Sequence, residues 1–157
     1  MTGTGTPLDL NDLVREVLAL TERDLQRNRV SVEVELDERL PSVNADRVQL
    51  QQVLVNLITN AIDAMAEKKW PRILRIKSAA REPGGVLISV ADTGKGIDPK
   101  IVDRIFNPLF TTKSNGMGMG LAICRSIIEG HDGRLQVSAG PEGGAVFQFL
   151  LPAAIAR

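Results

Sequence analysis

Three polar side chains recur along one face of a strongly apolar segment near the middle of the chain. Asn56, Asn60 and Asp63 occupy positions i, i+4 and i+7, which share one stripe of an α-helix. Asparagine is a poor residue for a helix interior, and Lys, Glu or Arg fill exposed positions more readily. Amide oxygens suit Mg²⁺, which keeps several waters and takes phosphates as further ligands. The stripe is interpreted as a magnesium and nucleotide site; a solvated helix face is the alternative, and Asp63 fits either interpretation.

A short glycine motif follows the end of a predicted strand. Asp92 comes directly after the strand and is followed by Gly94, Gly96 and Ile97. A carboxylate at a strand end can accept a hydrogen bond from an exocyclic amine such as that of adenine, and glycines let the backbone approach a planar base. The segment is not a Walker A loop, because Gly94-Lys95 lacks the following Ser or Thr and the preceding glycine spacing. An ordinary tight turn is the structural alternative.

A second glycine motif opens directly into a predicted helix. Gly116, Gly118 and Gly120 precede Leu121, the first apolar residue of that helix. Glycines at a helix N-terminus leave the first N–H groups free to face phosphate oxygens, and the helix dipole adds a favourable field. The motif is not the dinucleotide fingerprint, because Leu121 stands where a third glycine is needed. A flexible linker is the alternative.

The segment between the two glycine motifs is predicted to be a lid. Two of the four phenylalanines, Phe106 and Phe110, lie in this long stretch, and Thr111, Thr112 and Lys113 follow them. Aromatic residues in a glycine-flanked loop indicate hydrophobic anchors of a mobile lid, with Lys113 as a phosphate contact. Ordinary packing would also account for the two rings.

Composition excludes several other classes of site. The chain has 157 residues, with 19 Lys plus Arg, 19 Asp plus Glu, one Cys and one His, which indicates one domain. A net charge near zero argues against nucleic-acid binding. Cys124 and His131 can form neither an internal disulfide nor a full zinc set. No apolar run approaches the roughly 20 residues that span a bilayer. We therefore expect a reduced, cytoplasmic domain without membrane contact.

Hydrophobic periodicity predicts an α+β two-layer sandwich. Residues 1–7 are expected to be a flexible lead-in or a remnant of cloning, residues 8–152 the domain, and residues 153–157 a tail. Asp46 is predicted to cap the longest helix, and Gly130 to be the C′ residue that closes the last one. The predicted elements are a helix from Asp9 or Asn11 to Leu25, a half-buried strand at 30–36, a connector at 41–45, a helix at 47–65, strand pairs 73–80 with 86–92 and 135–139 with 145–151, a loop at 94–120 and a helix at 119–129.

The order of these motifs resembles the ATP-binding catalytic domain of bacterial sensor histidine kinases, within the group that also holds gyrase, Hsp90 and MutL ATPases. Residues 52–61 (QVLVNLITNA) resemble the N box, 92–97 (DTGKGI) the first glycine box, 106–110 (FNPLF) the F box and 116–121 (GMGMGL) the second glycine box. The resemblance runs from about residue 8 to residue 152, and the lid is most similar to those of oxygen- and nitrogen-responsive sensor kinases. It implies the Bergerat-type fold, a mixed, mostly antiparallel sheet covered on one face by helices, with a long ATP lid.

The resemblance also implies ATP and Mg²⁺ as cofactors and a role for each matching residue. Asn60 would hold Mg²⁺ with Asn56 assisting, and Asp92 would bind the adenine amino group. Two positions depart from the family pattern: Lys95 replaces a common proline, and Ala145-Val146 stand where Thr often precedes Phe147. The implied nucleotide-binding set is Asn56, Asn60, Asp63, Asp92, Gly94, Gly96, Ile97, Phe110, Thr111, Thr112, Lys113, Gly116, Gly118, Gly120 and Leu121.

Position 56 helps to choose the reaction. Gyrase-type and MutL-type ATPases and the anti-sigma serine kinases usually carry Glu there as a general base, whereas an amide cannot take up a proton. With Asn56 and Lys113 as the catalytic residues, phosphoryl transfer would rest on positioning and charge stabilisation. The implied function is a sensor histidine kinase catalytic domain that phosphorylates a histidine on a separate dimerisation and phosphotransfer domain.

A response regulator would be an indirect partner, and the isolated domain is expected to be monomeric. The parent kinase could carry a membrane anchor outside this domain. His131 lies in a predicted helix-to-strand turn, so it is expected to be structural. A free-standing anti-sigma-type serine kinase and a non-catalytic nucleotide sensor are the alternatives.

Overall fold

The computed structural model describes residues 5–67, 71–107, 120–141 and 143–154. Four α-helices and seven β-strands are present in these residues, with a short 3-10 turn at Val102–Arg104. The helices are α1 Leu10–Leu20, α2 Glu22–Arg27, α3 Arg47–Met65 and α4 Gly120–Gly130. The strands are β1 Thr6–Leu8, β2 Ser31–Glu35, β3 Val43–Ala45, β4 Ile73–Arg81, β5 Gly85–Ala91, β6 Arg134–Ala139 and β7 Ala145–Pro152.

Five strands form one sheet in the order β2-β4-β5-β7-β6. The β2–β4 pair is parallel and the other three pairs are antiparallel. Helices cover one face of this sheet: Ile88 and Phe149 are fully buried there together with Leu54 and Leu57 of α3. This mixed, mostly antiparallel sheet with helices on one face confirms the predicted α+β sandwich.

The longest helix, α3, begins where its sequence predicts. The Asp46 carboxylate accepts a hydrogen bond from the Gln49 N–H at 3.1 Å, which satisfies one of the donors that the first turn leaves unpaired. The apolar stripe of α3 is buried along its whole length, from Leu50 to Met65. The opposite stripe is left for polar side chains.

The strands β1 and β3 form a separate two-stranded antiparallel ribbon, which the sequence patterns do not predict. Thr6 and Pro7 were expected to belong to a flexible lead-in, but they pair with Ala45 and Asn44. The connector predicted at 41–45 contains β3. Three-residue strands are too short to show a period-2 pattern. The ribbon lies directly before Asp46, so it is joined to the N-terminus of α3.

Two other elements differ from their predicted form. The first helix ends at Leu20, because the Thr21 hydroxyl donates to the Val17 carbonyl at 2.9 Å, and α2 begins after Thr21. The predicted half-buried strand, β2, is exposed at every residue. It is an edge strand of the five-stranded sheet, so only β4 pairs with it, and among the described residues its other edge has no neighbouring strand in the sheet.

The end of α4 also differs from its prediction. Gly130 is the last helical residue, and the left-handed residue after the helix is Asp132, with φ 62°. The Gly133 N–H donates to Ile128 O at 2.9 Å and the Asp132 N–H to Glu129 O at 3.0 Å. These two bonds form a Schellman motif. Asp tolerates this conformation better than most non-glycine residues do.

A buried polar network ties α1 to the sheet. The Ser78 hydroxyl donates to Asn11 Oδ1 at 2.7 Å and accepts from the Asp37 N–H at 2.9 Å. The Asn11 amide in turn donates to the Asp37 carbonyl at 2.7 Å. Ser78 and Asn11 are both buried, so the loss of one side chain would leave its partner without a hydrogen bond from either protein or water.

We expect Ser78→Ala to lower the free energy of unfolding by about 1–3 kcal/mol, because it removes the hydrogen-bond partner of the Asn11 side chain and of the Asp37 N–H. Urea unfolding followed by circular dichroism measures the change. Ser138→Ala is the matched control, because Ser138 is exposed, and it should cost less than about 0.5 kcal/mol. Equal effects of the two substitutions would contradict the assigned role of the network.

Among the described residues, no helix is both long and apolar enough to cross a bilayer.

Candidate functional site

Asp92 lies at the end of β5 and is 5% exposed. Its Oδ1 atom accepts hydrogen bonds from the Gly94 N–H at 2.8 Å and the Ala145 N–H at 3.4 Å. The Asp92 N–H donates to Ala145 O at 3.0 Å, which continues the pairing of β5 with β7. The backbone therefore fixes the position of the carboxylate. Ala145 takes part in this through its main chain, whereas a threonine there would add a hydroxyl.

The first glycine motif packs against the last turn of α3. A Cβ atom added to Gly94 would lie 2.3 Å from the Ala64 carbonyl oxygen, so only glycine fits this approach. The Lys95 N–H donates to the same oxygen at 3.1 Å. Ala64 lies one turn after Asn60 on α3. This contact brings the loop after Asp92 to the part of α3 that carries the polar stripe.

Gly96 and Gly144 meet at the next point of the same loop. Gly96 has φ 75° and Gly144 φ 74°, a left-handed backbone conformation that residues with a side chain rarely adopt. A Cβ on Gly96 would lie 3.1 Å from Gly144 O, and one on Gly144 would lie 2.1 Å from Asp92 O. Gly144 therefore belongs to the wall around Asp92. The sequence pattern predicts Gly144 only as part of a hairpin turn. The signal for its further role is that this turn leads directly into β7, the strand that pairs with β5 before Asp92.

The polar stripe of α3 is present as predicted. Asn56, Asn60 and Asp63 are each half-buried on the helix, opposite its buried apolar stripe. Half-buried amides can present oxygen atoms to a ligand while the helix holds their backbone rigid. Asn60 and Asp63 both make further polar contacts within the protein. The structure thus gathers the stripe, Asp92 and the first glycine motif around one half of α3.

Helix α4 packs against α3 at Cys124. Cys124 is fully buried, and its Sγ atom lies 3.9 Å from Val53 O of α3. Burial raises the pKa of the Cys124 thiol from its ordinary 9.0 to about 11, and hydrogen bonds from the Asn56 side chain and the Cys124 backbone offset part of the rise. The thiol is therefore protonated at neutral pH and is a poor nucleophile.

The raised pKa of Cys124 makes the stability depend on pH above about 9. Between pH 9 and 11 the unfolded thiol has lost its proton while the folded one keeps it, so the unfolded state binds fewer protons and stability falls as pH rises. We expect wild type to lose roughly 2–3 kcal/mol across this window relative to Cys124→Ser, which has no thiol to titrate. Guanidinium unfolding of both proteins at each pH measures the difference. A difference that stays constant with pH would contradict the assignment.

The second glycine motif is described only at its end. Gly120 is the first residue of α4, and apart from its chain neighbours and the backbone of its own helix, no described atom lies within 4 Å of where its Cβ would be. Leu121 is half-buried and packs against the core. The remaining predicted residues of the lid and its glycines, Phe110, Thr111, Thr112, Lys113, Gly116 and Gly118, lie outside the described residues.

Two residues near the site have structural roles. The Phe106 ring packs edge-on against Phe147, with centroids 6.4 Å apart, and the Arg125 guanidinium lies 5.9 Å from the centre of the Phe106 ring. Ile97 packs partly buried against the core. Phe106 therefore anchors the start of the predicted lid to the sheet.

His131 has both ring nitrogens engaged. Its Nε2 accepts from the Asp46 N–H at 3.0 Å, and its Nδ1 lies 2.8 Å from Ile127 O. This arrangement requires a neutral ring with the proton on Nδ1. The ring joins the end of α4 to the start of α3, a structural role as predicted.

Comparison with known proteins identifies the family of this site. Residues 45–155 match the family model described as histidine kinase-, DNA gyrase B-, and HSP90-like ATPase. The chain belongs to this ATPase family. The resemblance and the fold predicted from the motifs are thereby confirmed.

The curated relatives of this histidine kinase-like ATPase domain are sensor kinases. It is 41% identical over 149 residues to the sensor protein TdiS of Thauera aromatica, covering 94% of this chain and 27% of the relative. It is 42% identical to the sensor protein FixL of Bradyrhizobium diazoefficiens, covering 92% of this chain and 28% of the relative. The chain thus spans about a quarter of the length of these relatives, and it corresponds to a catalytic domain.

Solved structures support the same assignment of the ATPase domain. The catalytic domain of histidine kinase ThkA in a nucleotide-free form has a TM-score of 0.85 and 37% identity, with 95% of each chain covered. Full-length ShkA in complex with AMPPNP has a TM-score of 0.84 and 30% identity, covering 97% of this chain and 32% of that one. ThkA in complex with the response regulator protein TrrA has a TM-score of 0.81 and 34% identity, covering 96% and 42%.

Proposed function

We propose that this ATPase domain binds Mg-ATP and donates the γ-phosphoryl group to a histidine on a separate helical dimerisation domain. Asn56 is the residue that favours this reaction over one that needs a general base within the domain. A glutamate at this position could take a proton from water or a hydroxyl, whereas an amide cannot. The domain would therefore position ATP for a nucleophile that another domain supplies.

The adenine base would bind at the end of β5. Asp92 is buried, and the Gly94 and Ala145 N–H groups hold its Oδ1. Its second carboxylate oxygen can accept a further hydrogen bond from the exocyclic amine of adenine. Gly94 and Gly96 would let the backbone approach the base, and Ile97 would contribute an apolar contact. The close fit of Gly94 against α3 and of Gly144 against Asp92 supports this pocket.

The triphosphate would lie between α3 and the start of α4. The first N–H groups of α4, from Gly120 and Leu121, would face phosphate oxygens at the positive end of the helix dipole. Gly116, Gly118, Phe110, Thr111, Thr112 and Lys113 are proposed as lid contacts, with Lys113 next to the transferred phosphoryl group. Asp63 is proposed as a further polar contact on α3.

The donor set of α3 fits a magnesium ion. Asn56 and Asn60 are half-buried neutral amides one turn apart, and Mg²⁺ tolerates few protein ligands because it keeps waters and takes phosphate oxygens. Mg²⁺ would neutralise charge that develops on the phosphates during transfer. Asn60 would hold it, and Asn56 would assist.

The transfer step follows from this placement. A ring nitrogen of the acceptor histidine would form a bond to the γ-phosphorus, the bond from that phosphorus to the bridging β–γ oxygen would break, and ADP would leave. The acceptor is proposed to be external, because both nitrogens of His131 are engaged within this domain. The anti-sigma-type serine kinase is not favoured, because the curated relatives are sensor kinases.

The partners follow as part of the same proposal. The dimerisation and phosphotransfer domain of the parent kinase would receive the phosphoryl group and pass it to a response regulator. The crystal structure of ThkA with a response regulator supports that general arrangement. The isolated domain is expected to be a monomer, since dimerisation would belong to the helical domain.

The proposal is tested by mixing the domain with radiolabelled Mg-ATP and a separately expressed helical domain of a sensor kinase relative. Label on the helical domain that is acid-labile and base-stable is expected for phosphohistidine. Replacing the acceptor histidine by glutamine should abolish the label. Calorimetric titration with Mg-ATP is the parallel measurement, and absence of binding there would overturn the proposal.

A further inference from the structure

The residue between Asp92 and Gly94 is Thr93, whose hydroxyl joins the end of β5 to the start of β4. Thr93 is 3% exposed. Its hydroxyl accepts a hydrogen bond from the Ile73 N–H at 3.0 Å and donates one to Pro71 O at 2.8 Å. Both partners are main-chain groups, so the hydroxyl uses its donor and an acceptor position at the same time.

This hydroxyl takes the place of main chain in the sheet. Strands β4 and β5 pair antiparallel as far as Arg75 with Ala91, and the same register, continued, would place Ile73 opposite Thr93. The pairing ends before that point, and the Ile73 N–H donates to the side chain of Thr93. Threonine hydroxyls can replace main-chain partners in this way. The main chain after Asp92 can therefore leave the sheet while the β4 donor stays satisfied.

The departure of the main chain at Thr93 forms the turn that holds Asp92. In this turn the Gly94 N–H donates to Asp92 Oδ1 at 2.8 Å. The Asp92 N–H donates to Ala145 O, next to β7 pairing, at 3.0 Å. The two strands that flank β5 thus hold consecutive residues, β7 holding Asp92 and β4 holding Thr93. Without the Thr93 hydroxyl, the turn would lose its attachment on the β4 side.

We propose that Thr93 is a positioning residue, whose hydroxyl holds the turn in the conformation that presents the Asp92 carboxylate to the adenine base. The inference rests on the proposed function, because the adenine contact of Asp92 is part of it. The family resemblance gives roles to Asp92, Gly94 and Gly96, and none to Thr93. Because Thr93 is buried with its hydroxyl bound to main chain, it acts through Asp92 and not by contact with nucleotide or metal.

Two substitutions separate the hydroxyl from the space that the side chain fills. Thr93→Val keeps the shape and removes the hydroxyl, whereas Thr93→Ser keeps the hydroxyl and removes a methyl group. Thr21→Val is the matched control, because Thr21 is also buried and its hydroxyl donates to the Val17 carbonyl in another part of the chain. Thermal unfolding shows whether each variant is folded. Should Thr93→Val not fold, Thr93→Ala serves in its place, since it too lacks the hydroxyl.

We expect Thr93→Val to weaken ATP binding by about threefold to tenfold in calorimetry, the range for losing a hydrogen bond between neutral groups. Thr93→Ser and Thr21→Val should bind ATP as wild type does. In an Asp92→Asn background the effect of Thr93→Val should disappear, because the contact that Thr93 positions is already lost. A loss of the same size in both backgrounds, or an equal loss in Thr93→Ser, would overturn the proposal.

A readout without nucleotide keeps this inference distinct from the proposed function. The Gly94 amide proton, which donates to Asp92, should exchange with solvent faster in Thr93→Val than in wild type, as measured by NMR on the free domain. The amides that pair β6 with β7 should exchange as in wild type, whereas a general loss of stability would accelerate both sets.

The outcomes of the exchange measurement are separable. Unchanged exchange at Gly94, or equal acceleration at Gly94 and in the β6–β7 pair, would overturn the positioning role of Thr93, whatever the nucleotide results. The expected acceleration at Gly94 in a domain whose wild type binds no ATP would instead overturn the proposed function and, with it, the task given to Thr93.

Discussion

Replacing Asp92 by asparagine is expected to weaken ATP binding by about tenfold to a hundredfold, the range for losing a hydrogen bond to a charged group. Asparagine is nearly the same size and can still accept from the Gly94 N–H through its remaining oxygen. Its NH₂ group, however, would face the exocyclic amine of adenine, donor against donor. Binding is therefore lost for an electrostatic reason while the loop keeps its shape.

Calorimetry with ATP and with GTP tests the Asp92 prediction. GTP carries a carbonyl where ATP carries the amine, so Asp92→Asn should narrow the preference for ATP over GTP. The control is Asp98→Asn, because Asp98 is exposed in the same loop and its carboxylate accepts from the nearby Lys100 N–H in a local turn. Equal affinity of Asp92→Asn and wild type for ATP would refute the assigned adenine contact.

Replacing Asn60 by alanine is expected to reduce phosphoryl transfer to the helical domain by roughly a hundredfold or more, because metal stabilisation of the transferring phosphoryl group supplies several kcal/mol. Alanine keeps the helix and removes only the amide oxygen. Affinity for ATP in EDTA should stay near that of wild type, and the gain from magnesium should be lost.

The Asn60 prediction is measured by the rate at which acid-labile phosphate appears on the helical domain. Asn44→Ala is a matched control, since it makes the same chemical change at an exposed position of β3. Thermal unfolding of both variants shows that the fold is intact. Transfer at the wild-type rate in Asn60→Ala would remove Asn60 from the metal site.

Much of the fold could be predicted because its main elements carry strong local patterns. The apolar period of α3 persists over 19 residues, and the two hairpins combine alternating strands with Pro and Gly-Gly turns. The position of β2 could not be predicted in the same way. Its alternation is that of a half-buried strand, but burial depends on which elements cover it, and only the assembled sheet shows that it lies at an edge.

The residues of the candidate site also fall into two groups, those indicated by local motifs and those that depend on contacts in the folded chain. Residue type and spacing indicate Asn56, Asn60 and Asp92 as candidate residues, because their chemistry is local to each motif. The contact between Cys124 Sγ and Val53 O joins two helices that are distant in sequence, and no periodic pattern predicts it. The roles of Gly144 and of the left-handed Asp132 likewise follow from close approaches in the folded chain.

The ribbon of β1 and β3 and the proposed nucleotide pocket lie toward opposite ends of α3. From Asp46, which follows the ribbon, to Asn60 the helix extends about 21 Å. A rigid rotation of the domain about the ribbon would therefore displace the proposed position of the γ-phosphate. A tilt of about 10° at the ribbon would move the Asn60 end of α3 by roughly 4 Å. This displacement is larger than a hydrogen bond or an in-line attack tolerates. An angular change of that size at β1 would therefore be sufficient to carry the proposed phosphate position out of reach of an acceptor, with no rearrangement inside the domain.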